Sequence, residues 1–336
     1  MSTKPPAIFL CDNPDTIARV YDDATRAALA QLFALGDGVL TGEDMISGPP
    51  LADAQAVFST WGMPALEPEE LRRCLPDLRW VFYGAGSVQY FARPFLQAGV
   101  RVFSAWGANA VPVVQYAVAQ ILLANKGYFQ GLRRQEHGDR MAFVEYAHKF
   151  PGNYNVRVGI LGAGMIGKMV IAELVRQQLE VLVYDPFVSD DWLAQSGARR
   201  ASLEDIFSTC QTISNHIANL SSTIGMLNYE LFTRMLPTAT FINTGRGAQV
   251  VEEDLIRALR EQPYRTAVLD VTWPEPPHDD SPLLTMQNVI LTPHIAGSSG
   301  NEVARMGAYM LTEARRVLCQ EPAQWEVTEK MLETMA

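Results

Sequence analysis

The side chains best suited to chemistry stand in four short segments between residues 243 and 297. Asn243-Thr244-Gly245-Arg246-Gly247 sets a guanidinium among glycines, and Asp270 closes an apolar run. Trp273-Pro274-Glu275-Pro276-Pro277 carries a carboxylate among prolines, and Thr292-Pro293-His294-Ile295-Ala296-Gly297 an imidazole in a short loop. Imidazole is the side chain that exchanges a proton near neutral pH, and a neighbouring carboxylate orients it. A guanidinium is a planar fork of donors matched to a carboxylate or a carbonyl oxygen. Each also has an ordinary alternative: a satisfied loop histidine, a solvated proline turn, or a surface ion pair worth under about 1 kcal/mol.

Upstream, Val156-Arg157-Val158-Gly159-Ile160-Leu161 runs into Gly162-Ala163-Gly164-Met165-Ile166-Gly167, then an apolar-periodic stretch, then Val181-Leu182-Val183-Tyr184-Asp185. The order is strand, glycine turn, helix, strand, acid. That context gives the G-x-G-x-x-G spacing its weight, because the bare pattern also describes a glycine turn that binds nothing. Gly162 permits the tight turn, Gly164 lets the backbone approach a pyrophosphate at the positive helix end, and Gly167 lets helix and sheet pack closely. Met165 and Ile166 complete the candidate cofactor turn, and Asp185 would accept hydrogen bonds from ribose hydroxyls. No arginine follows in Pro186-Phe187-Val188 to meet a 2′-phosphate, so the expected cofactor is NAD.

Alternating strand and helix patterns must position these groups. Strands are expected at Ala7 to Cys11, Val57 to Gly62, Leu78 to Gly86 and Val100 to Phe103, and helices at Ala24 to Leu35 and Glu67 to Cys74. A long apolar helix runs from about Val111 to Lys126, followed by a polar and aromatic arm to Asn155. After Asp185 the alternation resumes, with strands at Thr212 to His216, Thr240 to Asn243, Thr266 to Asp270 and Val289 to Thr292, and a last helix at Asn301 to Leu318. Such alternation implies an α/β chain with a Rossmann-type, doubly wound parallel sheet. Ligands of these sheets sit at the carboxyl ends of the strands, where the four segments fall. The expected domains are 1–107, completed by 300–336, and a dinucleotide-binding domain at 108–299.

The chain resembles the NAD-dependent D-2-hydroxyacid dehydrogenases over nearly its whole length. Leu291-Thr292-Pro293-His294-Ile295-Ala296-Gly297, Asn243-Thr244-Gly245-Arg246-Gly247 and Leu269-Asp270-Val271 followed by Glu275 carry the resemblance, with the glycine turn. It implies a flavodoxin-like substrate domain beside the Rossmann domain, and hydride transfer between NAD and a 2-keto or D-2-hydroxy acid. Arg246 would bind the substrate carboxylate and keto oxygen, His294 would carry the proton, and Glu275 would orient the imidazole and favour its charged form. Asp270 would hold the nicotinamide carboxamide, with His216, Thr244, Gly245, His294 and Gly297 beside the cofactor. Gly84, Ala85 and Gly86 would present backbone N–H groups to the substrate, which Arg246 and His294 also touch. Val88, Gln115 and Ala218 depart from residues common in the family. Formate dehydrogenases of this fold carry Gln at the acid position, so Glu275 argues against that activity. The alternative is an NADH-responsive binding protein or corepressor on the same scaffold.

Composition adds bounds. Apolar residues make up 48% and charged residues 19%, with 27 basic against 37 acidic groups and a formal charge of −10. Such a surface disfavours nucleic acid and anionic membranes as partners. Four cysteines, Cys11, Cys74, Cys210 and Cys319, show neither disulfide nor metal spacing, so no metal is expected. The N-terminal residues carry no apolar leader, and no run of 18 apolar residues is present, which gives the expectation of a cytoplasmic enzyme. The arm from Tyr128 to Phe150 is expected to reach across a homodimer. The loops Ser59 to Met63 and Tyr83 to Tyr90 hold no Lys or Arg, so a small unphosphorylated 2-keto acid is expected, with Trp61, Tyr83 or Trp273 as apolar walls.

Overall fold

The structure, a computed structural model, describes residues 4–135 and 148–333. The chain divides into two compact units, one of Met1–Ala110 with Ser298–Ala336 and one of Val111–Gly297. Strands are numbered along the chain. β1 (Pro6–Leu10), β2 (Ala34–Leu40), β3 (Ala56–Ser59), β4 (Trp80–Tyr83) and β5 (Arg101–Ser104) precede the glycine turn. β6 (Arg157–Leu161) runs into that turn, β7 (Glu180–Tyr184), β8 (Arg199–Arg200), β9 (Thr212–Asn215), β10 (Thr240–Asn243), β11 (Thr266–Leu269) and β12 (Val289–Leu291) come after it, and β13 (Glu326–Val327) is last.

In the first unit the sheet order is β2-β1-β3-β4-β5-β13, parallel except for β13. The parallel part has the flavodoxin order. Its centre is a ladder of phenylalanines in register: Phe9 pairs with Phe58, Phe58 with Phe82, and Phe82 with Phe103. Phe58, Phe82 and Phe103 stack with centroids 5.0 Å apart at each step, so one apolar residue type at matched positions both fills the core and fixes the register. Helix Val303–Leu318 closes this face with Met306, Met310 and Ala314, all buried.

In the second unit the order is β8-β7-β6-β9-β10-β11-β12, all parallel, which is the dinucleotide-fold order with one added strand. β9, β10 and β11 are buried along their whole length, as strands of a parallel sheet covered on both faces are. Helix Trp106–Asn125 is long and apolar enough, by length and composition, to cross a membrane. Its Ala117, Ile121 and Ala124 lie in this unit's core.

Several elements differ from the sequence expectation. The first strand, expected to Cys11, ends at Leu10, and a helix the sequence did not announce, Pro14–Val20, follows it, because proline is preorganised for a first helical position. β2 reads Ala-Leu-Gly-Asp-Gly-Val-Leu, an edge strand with little burial and low intrinsic preference, formed by its pairing with β1. β8 and β13 have two residues each, too few to carry a period. In the arm, residues 136–147 lie outside the described residues.

Gly307 sits where Val303–Leu318 crosses the end of helix Pro14–Val20, and a Cβ there would lie 2.1 Å from the Val20 carbonyl oxygen. Gly307→Ala is therefore expected to destabilise the first unit by about 1–3 kcal/mol of overpacking, against the roughly 1 kcal/mol that alanine otherwise gains over glycine within a helix. A urea midpoint equal to or above that of the wild type contradicts this contact.

Candidate active site

The glycine turn has three glycines with three different surroundings. Gly162 follows β6 with φ of +89°, and a Cβ on it would lie 2.7 Å from the His216 carbonyl oxygen. A Cβ on Gly167 would lie 2.0 Å from the Gly162 oxygen, so helix Met165–Arg176 meets the turn backbone to backbone. Gly164, the N-cap, faces open space with nothing within 4 Å of its Cβ position and no side-chain cap. The N–H groups of the first turn, at Met165 and Ile166, thus open toward room for a phosphate. This arrangement fits a dinucleotide.

Asp185 follows β7 and is tied to the same turn. Its Oδ2 accepts from Ala163 N at 2.7 Å, and its Oδ1 accepts from Phe187 N and Val188 N at 2.7 and 2.9 Å. The carboxylate is thus held in place, with lone pairs left over for ribose hydroxyls. Arg200, which the sequence reading passed over, also reaches this loop. Its guanidinium donates to the Asp185 and Val188 carbonyls and to the Asp190 carboxylate. A positive group therefore lies beside the ribose candidate after all, committed to bracing the loop.

Arg246 is positioned by a buried amide network. Asn215 Nδ2 donates to Asn243 Oδ1 at 3.0 Å and Gln249 Oε1 at 2.6 Å, while Gln249 Nε2 donates to the Ile217 and Ala218 carbonyls. Asn243 Nδ2 in turn donates to the Arg246 carbonyl at 3.1 Å, and Arg246 N donates to Gln249 Oε1. Gly247 allows the loop to lie against Thr272, where a Cβ would come within 2.0 Å of backbone. The Arg246 side chain spends one donor, Nη1, on the Gly245 carbonyl at 2.8 Å. Partial burial lowers its pKa, with Glu275 acting in the opposite sense. A desolvated cation with donors to spare suits an anion.

His216 and Thr244 form a clasp across neighbouring strand ends: the imidazole lies 3.0 Å from Ser214 Oγ and 3.3 Å from Thr244 Oγ1. Burial pushes the His216 pKa down to about 4. It is neutral at physiological pH, which suits packing better than proton transfer.

Asp270 holds the loop that carries His294. The side chain is buried, with Oδ1 accepting from Thr292 Oγ1 at 2.6 Å and Ile295 N at 2.8 Å, and Oδ2 accepting from Ala296 N at 2.9 Å. Its backbone oxygen accepts from His294 N at 3.1 Å. His294 adopts φ of +53°, an uncommon conformation for a residue with a side chain, kept by these bonds on both sides. Its Nδ1 lies 2.5 Å from Glu275 Oε1. A carboxylate only accepts, so Nδ1 carries the hydrogen and Nε2 is left for other chemistry. The two side chains are about half exposed, at 50% and 40%.

In the first unit, the Gly84 N–H is already donated to the Ser59 carbonyl at 2.7 Å. Of the three N–H groups expected to face a substrate, those of Ala85 and Gly86 remain. Tyr83, expected as an apolar wall, is 1% exposed and packs on Phe91 within the core. Trp61 in this unit and Trp273 in the other are exposed, at 41% and 68%. Asn215, Asn243 and Gln249 are the site residues that the motifs alone left unread. Asn215 and Asn243 are signalled as polar residues at the ends of buried strands, whereas Gln249, in the turn Gly247–Gln249, has no such signal.

The glycine surroundings separate binding from folding. Gly164→Val is expected to keep the wild-type melting temperature and to weaken NADH binding at least about 30-fold, since a side chain there meets ligand and not protein. Gly167→Ala should instead impair folding, by about 1–3 kcal/mol or more. Equal NADH affinity in Gly164→Val and wild type, by fluorescence titration, contradicts the assignment.

Residues 118–296, just over half of the chain, match the family described as D-isomer specific 2-hydroxyacid dehydrogenase, NAD binding domain. The chain is 29% identical over 308 residues to the D-3-phosphoglycerate dehydrogenase of Mycobacterium leprae, covering 89% of this chain and 56% of that protein. It thus spans about half the length of that longer relative. It is also 29% identical over 251 residues to the (S)-sulfolactate dehydrogenase of Chromohalobacter salexigens, covering 74% of this chain and 80% of that one. In fold it is similar to the D-mandelate dehydrogenase of Rhodotorula graminis, with a TM-score of 0.79 at 20% identity over 97% of this chain and 98% of that one. By the family match, the chain belongs to the D-isomer specific 2-hydroxyacid dehydrogenases, and its second unit carries their NAD-binding domain.

Proposed function

We propose that this chain interconverts a small, unphosphorylated 2-keto acid and its D-2-hydroxy acid, with NAD(H) as the hydride carrier. The observation that supports this most is the pairing of His294 Nδ1 with Glu275 Oε1 at 2.5 Å on a loop fastened by Asp270. A half-exposed imidazole with an oriented ring and an available Nε2 is equipped to move a proton.

The cofactor would rest on Gly162, Gly164, Met165, Ile166 and Gly167, with Asp185 at the ribose and His216, Thr244, Gly245, Asp270 and Gly297 along it. When bound, NADH supplies the hydride. Arg246 would grip the substrate carboxylate and keto oxygen, aligning C2 and stabilising the negative charge that grows on that oxygen. His294 would deliver the proton from Nε2 to the same oxygen, so that keto acid, NADH and a proton give hydroxy acid and NAD⁺. Glu275 would keep the ring in place. Ala85 and Gly86 are the first-unit N–H groups proposed for the substrate. The same reading takes the protein to be a cytoplasmic homodimer.

His294→Ala is expected to lower kcat for keto-acid reduction by about 10²- to 10⁴-fold, the usual worth of a general acid, with NADH affinity nearly unchanged. Turnover within threefold of wild type, taking threefold as about 0.7 kcal/mol, would contradict the assignment.

The substrate claim rests on the loops Ser59 to Met63 and Tyr83 to Tyr90, which hold no Lys or Arg, and on exposed Trp61 and Trp273. Desolvating a phosphate dianion without a partner costs several kcal/mol. NADH consumption with glyoxylate, hydroxypyruvate or phenylpyruvate should exceed that with 3-phosphohydroxypyruvate in kcat/KM. The reverse order would refute the substrate class, and NADH binding without consumption of any keto acid would favour a binding protein instead.

A further inference from the structure

A run of hydrogen bonds enters the His294 loop from the long apolar helix, outside every motif segment. Thr292 Oγ1 donates to Asp270 Oδ1 at 2.6 Å and lies 2.9 Å from the Tyr116 hydroxyl. A threonine hydroxyl has one proton. Because Asp270 takes it, Tyr116 must donate its own proton to Thr292 Oγ1. Every proton in the run points toward the Asp270 carboxylate, which also receives the N–H groups of the two residues after His294. Burial raises the Tyr116 pKa, so the phenol keeps the proton the run needs.

The geometry points to Tyr116 as a positioning residue for the proton carrier: through Thr292 and Asp270, its hydroxyl fixes the loop that presents His294. This rests on the reading of His294 as proton carrier. The physical reason lies in Asp270 Oδ1, which accepts from both Thr292 Oγ1 and Ile295 N. If Thr292 loses the donor that fixes its rotor, its hydroxyl can turn away, and Oδ1 then holds the loop by Ile295 N alone. A loop residue at positive φ relaxes readily once its restraints weaken, and small displacements of a reacting group cost rate steeply.

The test compares Tyr116→Phe, Thr292→Val and the double variant. In Tyr116→Phe, kcat for keto-acid reduction is expected to fall about 5- to 30-fold, with KM for NADH and keto acid within about threefold. Amide exchange at Ile295 and Ala296 is expected to quicken about tenfold. The double variant should lose no more kcat than Thr292→Val alone, because both cut one connected run. A hydroxyl that only adds to stability would lower the melting temperature and leave kcat and the two amides as in the wild type. Unchanged kcat, unchanged exchange, or losses that multiply in the double variant would overturn the proposal. A wild type that consumes no NADH, or a His294→Ala variant as fast as wild type, counts against the proton-carrier reading instead. In that case quicker exchange in Tyr116→Phe still supports the positioning role, and unchanged exchange refutes it.

Discussion

The Asp270 carboxylate, buried at the end of β11, is the interaction on which the rest of the site depends. Burying an ionised group without partners costs far more than a fold can absorb, so its donors are obligatory. Three come from a single short loop: the Thr292 hydroxyl and the N–H groups of Ile295 and Ala296. The carboxylate therefore dictates the path of the backbone between them, and His294 lies on that path. Its positive φ is a consequence of this tethering, and the tether also brings Nδ1 to Glu275.

A similar logic governs the neighbouring strand ends. Arg246 leaves β10 through a loop whose backbone is held by the buried amides of Asn243 and Gln249, both of which accept from Asn215 Nδ2. The glycine turn after β6 is shaped by contacts that leave no room for Cβ at Gly162 and Gly167, while Gly164 faces open space. β9, β10 and β11 thus lead into polar side chains, Asn215, Asn243 and Asp270, each fixed by buried hydrogen bonds. A rigid sheet with such ends can hold a cofactor and a proton donor without reorganising when they react.

The second unit was more legible in the sequence than the first. Its strands are buried on both faces, so Thr240 to Asn243 and Thr266 to Leu269 read as apolar runs, and its motifs fall at strand ends. β2 escaped because Gly36, Asp37 and Gly38 give an edge strand no local signature, and its pairing with β1 comes from the tertiary fold. At the site, the charged residues could be picked out by type and spacing. Their supports could not: Tyr116 lies inside an apolar helix, Arg200 on a two-residue strand, and Gln249 in a short loop, each meaningful only through distant partners. The Tyr83 and Gly84 expectations changed for the same reason, since sequence does not say whether a ring or an N–H is already engaged.

The central claim, that the Asp270 carboxylate organises the His294 loop proposed to carry the proton, is tested most directly by Asp270→Asn. This change keeps size and shape but turns one acceptor oxygen into a donor that faces an N–H. Single-turnover reduction of a 2-keto acid by bound NADH, followed by absorbance, should slow at least about 100-fold, as expected when a misplaced group loses general acid catalysis. A rate within threefold of wild type, a difference of about 0.7 kcal/mol, would contradict the account.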